Sequence, residues 1–364
     1  MAHDPNEHSP AAPPLTVSKK ILGLEFLRGL CALLVAVYHC LLFTHLAVLP
    51  TWGLYGVYIF FVISGAVLFQ NYHSTLTLTV ERPDQISVAK FMLKRFARIA
   101  PLVWACMLGP AVLRNSWIPD QYFLNLTLLF GLGSPGATSY LTGGWTLGIE
   151  FALYALFPVL LAFTRSWRST ALTLITFLLL RAAFLSFVLK SGSLAQTWPI
   201  NTQPAAFLVF FFGGMAIAKL APQLSFPRAA MLAVALIAAL PIVLFPGAGY
   251  SAVLLGLHGV LLTLASLVVV AGFFWSPRAR IPAAVFGFFG DISYGLYLLH
   301  PIVWAGLVHY VPALPPKARI VATLAISIVA AKILLRWYER PVRAWIVRVA
   351  YPTRVERPLA ISGE

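Results

Sequence analysis

The sequence predicts an all-α, polytopic integral membrane protein with about ten transmembrane helices and with both termini in the cytoplasm. Of its 364 residues, 60% are hydrophobic and only 10% are charged, and the mean hydropathy is +0.85. A soluble domain carries roughly a quarter charged residues. Apolar stretches close to the ~20 residues that a spanning helix needs recur along the whole chain. These observations exclude a soluble protein and give no sign of a separate soluble domain large enough to hold its own core.

The apolar stretches define ten predicted spans in chain order. They cover 22–47, 53–72, 97–114, 145–164, 170–189, 204–220, 229–246, 252–275, 285–310 and 318–338. One further segment, 120–133, is apolar but short. It is compatible with an eleventh span or with an interfacial or re-entrant segment.

The positions of the basic residues discriminate between these alternatives. With ten spans and a cytoplasmic N-terminus, seventeen of the 26 Lys and Arg residues lie in cytoplasmic loops and four in outer loops. The other five fall within or at the edges of spans: Arg28, Arg98, Arg181, Lys332 and Arg336. An eleventh span would give nine inside against twelve outside. Because Lys and Arg accumulate in cytoplasmic loops, the distribution favours ten spans, with Arg95 and Arg168 on the cytoplasmic side and Gly136 on the other.

The same bias explains the net charge of +15, so no nucleic-acid partner is expected. Residues 1–18 are rich in proline and predict a disordered cytoplasmic tail, followed by a membrane domain over 19–345 and a basic cytoplasmic tail over 346–364. The three cysteines, Cys31, Cys40 and Cys106, lie in apolar segments without metal-ligand spacing. Neither a disulfide nor a metal site is therefore expected.

The first span contains two ionisable residues, Arg28 and His39, and such residues inside a bilayer indicate function by default. Eleven residues apart, they share one face of a helix and are separated by about 16 Å along its axis. Glu25, one turn earlier, can pair with Arg28. For His39, the alternative is an interior residue that is hydrogen-bonded to a neighbouring helix.

The third span begins with four cations in nine residues: Lys90, Lys94, Arg95 and Arg98. Arg95 and Arg98 are three residues apart, so both can face one ligand. Such a cluster suits a polyphosphate. The alternative is that it only anchors the helix at the cytoplasmic boundary.

Two later spans also carry polar residues. In the fourth span, Glu150 lies inside an apolar run about one turn after Trp145, and a buried carboxylate there requires a partner, for which Arg or His is expected. In the ninth span, the spacing of Ser293, Tyr297 and His300 predicts a polar stripe along one helix face.

Together these segments resemble the acyltransferase-3 family of membrane O-acyltransferases. The resemblance rests on the spacing of Arg28 and His39 and on five motifs in the family's order, from about residue 20 to 345: GVYIFFVISGAVL (56–68), KRFARIAP (94–101), WTLGIEFALYALFP (145–158), ISYGLYLLHP (292–301) and YERP (338–341). It implies a multi-pass protein of the bacterial inner membrane without a permanently bound cofactor. It also implies acyl-CoA, usually acetyl-CoA, as co-substrate, and a cell-surface polysaccharide or lipid-linked oligosaccharide as acceptor.

The resemblance further implies functional roles for Arg28 with His39 and for Arg95 with Arg98, the latter pair in donor binding. Acyl transfer from a thioester to an alcohol needs a base for the hydroxyl and stabilisation of the oxyanion. His39 is the expected base because imidazole titrates nearest neutral pH, and Glu150 could orient it or bind sugar. Possible substrate-binding residues are Ser64, Trp145, Ser293, Tyr297 and His300. The alternative functions are a transporter or flippase of a lipid-linked sugar and an acyltransferase that acts on a small molecule or lipid.

Overall fold

The computed structural model describes residues 21–77, 85–114, 118–190, 198–199, 201–220, 222, 227–245, 247, 253–254, 256–275 and 282–351. This part of the chain is almost entirely helical. The first seven helices are α1 (Leu22–Phe43), α2 (Pro50–Tyr72), α3 (Val88–Arg114), α4 (Pro119–Thr127), α5 (Pro135–Thr138), α6 (Trp145–Ala162) and α7 (Trp167–Lys190). The next seven are α8 (Leu208–Leu220), α9 (Arg228–Ala238), α10 (Leu240–Leu244), α11 (Gly256–Trp275), α12 (Ala283–Tyr310), α13 (Pro316–Leu334) and α14 (Arg340–Ala350).

Short irregular elements join these helices. Two strands of two residues, β1 (Leu76–Thr77) and β2 (Ile86–Ser87), pair in parallel between α2 and α3. Turns of 3₁₀-helix occupy Leu129–Leu132 and Pro204–Phe207, and a π-helical turn, Leu335–Glu339, joins α13 to α14. The helices α2, α4, α5 and α13 each begin at a proline, whose missing N–H costs nothing in the first turn of a helix.

Six helices in the described ranges are long and apolar enough to cross a bilayer. They are Leu22–Phe43, Pro50–Tyr72, Trp145–Ala162, Trp167–Phe187, Gly256–Trp275 and Pro316–Ala350. The prediction of an all-α, multi-pass membrane protein is thereby confirmed. Helices α3 and α12, with 27 and 28 residues, also have the length to span. Ten spans and cytoplasmic termini stay predictions, and the predicted span 229–246 is divided between α9 and α10.

The ambiguous segment 120–133 is not one continuous helix. Helix α4 has nine residues, about 14 Å, which is short of the ~30 Å of a hydrocarbon core. It ends at Thr127, and the next residue, Leu128, has a left-handed φ of 61°; the 3₁₀ turn and α5 follow. This segment packs closely on α6, because a Cβ atom at Gly131 would overlap the carbonyl group of Gly148.

Helices α1 and α12 lie side by side and run in the same direction. The contacts between them run in order of increasing residue number on both helices, from Arg28 with Ser293 to His39 with His300. Since each crossing of a bilayer reverses the chain, two parallel spans must be separated by an odd number of other spans. Seven spans separate the first and ninth of the ten predicted spans, whereas an additional crossing at 120–133 would make the two helices antiparallel.

Helix α2 lies at the centre of the bundle, in contact with α1, α8 and α11. Its approach to α8 is close at small residues, as is typical of membrane helices. A Cβ atom at Gly65 would overlap the Phe211 carbonyl group, and one at Gly214 would overlap that of Val62. This central helix contributes to both of the cavities described below.

The predicted terminal tails fall mostly outside the described residues. Residues 1–18 and 352–364 are not among them. The predicted start of the C-terminal tail at 346 lies within α14, so the helical part of the chain extends to Ala350.

Candidate active site

Two cavities in the described part of the helix bundle share two lining residues, Val57 and Tyr297. The first, here called the arginine cavity, has a volume of about 130 Å³ and polar lining residues Arg28, Ser64, Arg95, Arg98, Thr146, Glu150, Tyr154, Ser293, Tyr294 and Tyr297. The second, the histidine cavity, has a volume of about 370 Å³ and is lined by His39, by the loop that ends at Gly143 and by Tyr38, Trp145, Trp198 and Tyr297. All predicted site residues except His300 are thus divided between two spaces.

Arg28 fixes one wall of the arginine cavity. Its guanidinium group donates hydrogen bonds to the Ser293 hydroxyl at 3.1 Å and to the Gly290 carbonyl at 3.2 Å, both on α12. It also pairs with Glu25 at 3.2 Å, one turn earlier on α1, as the sequence predicts. Arg28 therefore links α1 to α12, and it also lines the arginine cavity.

Arg95 and Arg98 lie in the same cavity and retain donors for a ligand. Arg95 donates to the Tyr72 hydroxyl at 2.9 Å and lies over the Tyr72 ring, while its buried Nε has no hydrogen-bond partner. Arg98 lies over the Tyr294 ring, 5.8 Å from its centroid, and forms no hydrogen bond with the described residues. Two guanidinium groups with unused N–H donors form a concentrated positive charge suited to phosphate oxygens.

Glu150 has partners other than those expected. One of its carboxylate oxygens accepts a hydrogen bond from the Ser64 hydroxyl at 2.9 Å and another from the Tyr154 hydroxyl. Among the described residues, no Arg or His is hydrogen-bonded to it, so the expectation of a charged partner was wrong. Neutral hydroxyl donors can satisfy a buried carboxylate, and here they also hold it at the cavity wall.

His39 is oriented by His300. Nδ1 of His300 lies 2.9 Å from the Leu296 carbonyl oxygen, which only accepts, so this nitrogen carries the proton. Nε2 of His300 is then the acceptor for Nδ1–H of His39, at 2.9 Å. This chain of bonds leaves Nε2 of His39 unprotonated in the histidine cavity, with a lone pair free to accept a proton.

A hydrogen-bonded partition separates the two cavities. The Tyr297 hydroxyl donates to the Gly143 carbonyl at 3.0 Å, and the Thr146 hydroxyl lies 3.0 Å from the Tyr297 oxygen. Gly143 has a φ of +77°, which a residue with a side chain adopts only under strain. The Tyr297 ring packs edge-on against Phe60 of α2, with 5.6 Å between ring centroids.

The remaining predicted residues have clear positions. Ser64, Ser293 and Tyr297 line the arginine cavity, and Trp145 lines the histidine cavity. His300 lines neither of the two cavities; it is buried behind His39. Arg28 and His39 occupy one helix, as expected, but face different cavities.

Three tyrosines that contact charged side chains were not among the residues predicted from the sequence. Tyr154 was detectable because it lies four residues after Glu150, on the same helix face. Tyr72 had no such signal, because its contact with Arg95 depends on the packing of α2 against α3. Tyr294 lies beside the predicted polar stripe, and its ring covers Arg98.

Comparison with known proteins gives the family. A family model described as an acyltransferase domain matches residues 21–336. Searches of curated proteins and of solved structures found no match. Because the family match spans most of the chain and includes every lining residue of both cavities, the chain belongs to the acyltransferase-3 family of membrane acyltransferases.

Proposed function

We propose that this protein is an O-acyltransferase of the bacterial inner membrane that transfers an acetyl group from acetyl-CoA to a sugar hydroxyl of a cell-surface polysaccharide or exopolysaccharide. The observation that carries this proposal is the free Nε2 of His39, which lies in a cavity that shares Val57 and Tyr297 with a cavity lined by three arginines. The base and the cations therefore lie at two depths, on opposite sides of the partition at Tyr297.

The arginine cavity suits the donor. Its volume of about 130 Å³ is too small for a nucleotide, so the phosphates would bind at its mouth and only the pantetheine arm would enter. Arg95 and Arg98, near the beginning of α3, supply the N–H donors for the phosphates. The thioester at the end of the arm would then point toward Tyr297. Arg28 lies about 16 Å along α1 from His39, and we therefore assign it to the donor cavity.

The histidine cavity suits the acceptor. Its volume of about 370 Å³ lies in the range of small-ligand sites, and aromatic side chains with a few polar groups line it. Nε2 of His39 would remove the proton from the sugar hydroxyl as its oxygen attacks the thioester carbonyl carbon. When the tetrahedral intermediate collapses, the C–S bond breaks and the leaving CoA sulfur takes the proton from His39. The sugar ester remains, and His39 returns to its neutral form.

The direct test uses purified protein in lipid nanodiscs with isotopically labelled acetyl-CoA and a lipid-linked oligosaccharide from the host. We expect mass spectrometry to find the labelled acetyl group esterified to a sugar hydroxyl. Labelled lipid or small-molecule products in place of a glycan product would assign the alternative acceptor class. Movement of lipid-linked sugar across a liposome membrane without consumption of acetyl-CoA would instead support a flippase.

His300 is a positioning residue in this scheme, and its replacement by alanine should lower kcat. Loss of the hydrogen bond that orients His39 should reduce kcat by roughly 5- to 30-fold, or about 1–2 kcal/mol, while the KM for acetyl-CoA stays unchanged. His300→Gln, whose side-chain oxygen can accept from Nδ1–H of His39, should restore part of the rate. Equal losses in His300→Ala and His300→Gln, or a raised KM for acetyl-CoA, would contradict this role.

A further inference from the structure

A third, much smaller cavity lies beside the histidine cavity, and no step proposed above uses it. It is lined by residues of α2, α7 and the segment that leads into α8, and it shares Leu54, Trp145 and Trp198 with the histidine cavity. Its volume is about 10 Å³. A space of this size holds one water-sized particle.

A buried arginine forms one side of this cavity. Arg181 lies within α7 and is only 5% exposed. Its guanidinium group donates to the Ala206 carbonyl at 2.6 Å and to the Tyr58 hydroxyl at 2.8 Å, and it packs on the rings of Tyr58 and Phe210. All of these partners are neutral, and these two hydrogen bonds leave three of the five guanidinium N–H donors unused.

No carboxylate of the described residues compensates this charge. The five described acidic side chains are engaged elsewhere or lie apart from Arg181, and none forms an ion pair with it. A buried charge without a counter-charge is strongly unfavourable inside a bilayer. Contact with aromatic rings offsets only part of that cost.

An unpartnered amide forms another side of the same cavity. Asn201 is 7% exposed, and neither its side-chain oxygen nor its side-chain nitrogen has a hydrogen-bond partner. Buried polar groups are nearly always hydrogen-bonded, so an orphaned amide in a cavity indicates an occupant. A water molecule would satisfy the amide but would leave the charge of Arg181 uncompensated.

We propose that Arg181 and Asn201 bind a single monatomic anion of the size of chloride inside the helix bundle. The anion would accept hydrogen bonds from the unused guanidinium N–H groups and from the amide NH₂ group. It would neutralise Arg181 and tie α7 to the segment before α8. Because Trp145 and Trp198 belong to both cavities, the anion would also support the wall of the histidine cavity.

The test measures anion-dependent stability of the purified full-length protein. Gluconate replaces chloride at constant ionic strength, and chloride, bromide or sulfate is then titrated. Thermal unfolding is followed with a thiol-reactive dye, because Cys31, Cys40 and Cys106 are buried until the protein unfolds. We expect a saturable rise in Tm with chloride and bromide, no rise with sulfate, and chloride NMR line broadening that bromide competes away.

Two asparagine variants locate the site. Asn201→Leu should remove both the Tm shift and the line broadening. Asn71→Leu should keep them, because Asn71 bonds within its own helix and lines none of the three cavities. Arg181→Met should behave as Asn201→Leu if it folds.

A wild-type Tm that is the same in gluconate and chloride would show that the cavity holds only water. A halide shift that persists in Asn201→Leu would place the anion elsewhere and overturn the assignment.

Discussion

Replacement of His39 by alanine is expected to reduce acyl transfer by a factor of about 10² to 10⁴ while the protein keeps its fold. The hydrogen bonds of His300 and Leu296 leave Nε2 of His39 as the free base in the histidine cavity. Without it, the sugar hydroxyl must attack the thioester in its protonated form. The measurement is transfer of labelled acetyl by purified protein, at matched protein amounts and with Tm as the check on folding.

A second histidine provides the matched control for this experiment. His309 lies on α12, as His300 does, but is exposed near the end of the helix and lines neither cavity. His309→Ala should therefore transfer acetyl at the wild-type rate. His39→Ala should still bind acetyl-CoA, because the donor cations lie in the other cavity. Near-wild-type transfer by His39→Ala would refute its assignment as the base.

Replacement of either paired arginine by alanine should act through donor affinity. We expect Arg95→Ala or Arg98→Ala to weaken acetyl-CoA binding by about 1.5–3 kcal/mol, or roughly 10- to 150-fold, because a charge-assisted hydrogen bond to a phosphate is lost. A variant with lysine at either position should bind acetyl-CoA with intermediate affinity, because lysine keeps the charge but lacks the planar arrangement of N–H donors. Calorimetry or a labelled-donor binding assay measures the change.

Two comparisons separate phosphate binding from simple anchoring of the helix. Arg168 lies over the Trp167 ring at 5.8 Å, as Arg98 does over Tyr294, but it is exposed and lines neither of the two main cavities. Arg168→Ala should leave donor affinity unchanged. S-acetyl-pantetheine has no nucleotide phosphates, so it should bind equally to the wild type and to the Arg95 and Arg98 variants. Unchanged acetyl-CoA affinity together with disturbed membrane topology would favour anchoring.

The parts of the site that the sequence predicted are those that depend on one helix. Helical spacing placed Arg28 and His39 on one face and paired Glu25 with Arg28. The contacts it could not predict all join two helices. The hydroxyls around Glu150 come partly from α2, and the pairing of His39 with His300 depends on the register of α1 against α12. The spacing of residues within one helix does not specify how that helix is aligned with its neighbour.

The same limit applies to the division of the site. The sequence placed the cations and the histidine at different depths, but it did not reveal the partition between them. That partition depends on Gly143, in a loop without helical periodicity, and on its contact with Tyr297 from a distant helix. For the segment 120–133, charge counting favoured the interpretation without a crossing, and the left-handed Leu128 explains locally why the helix stops.

The partition formed by Tyr297, Thr146 and Gly143 also bears on the permeability of the membrane. If the two cavities open to opposite faces of the membrane, an unbroken water path between them would let protons run down the electrochemical gradient. One aromatic ring and three hydrogen-bonded oxygens close that path when no substrate is bound. Turnover then requires a brief opening that the substrates themselves fill. A looser barrier would allow faster acyl transfer but would dissipate part of the proton gradient that the cell maintains.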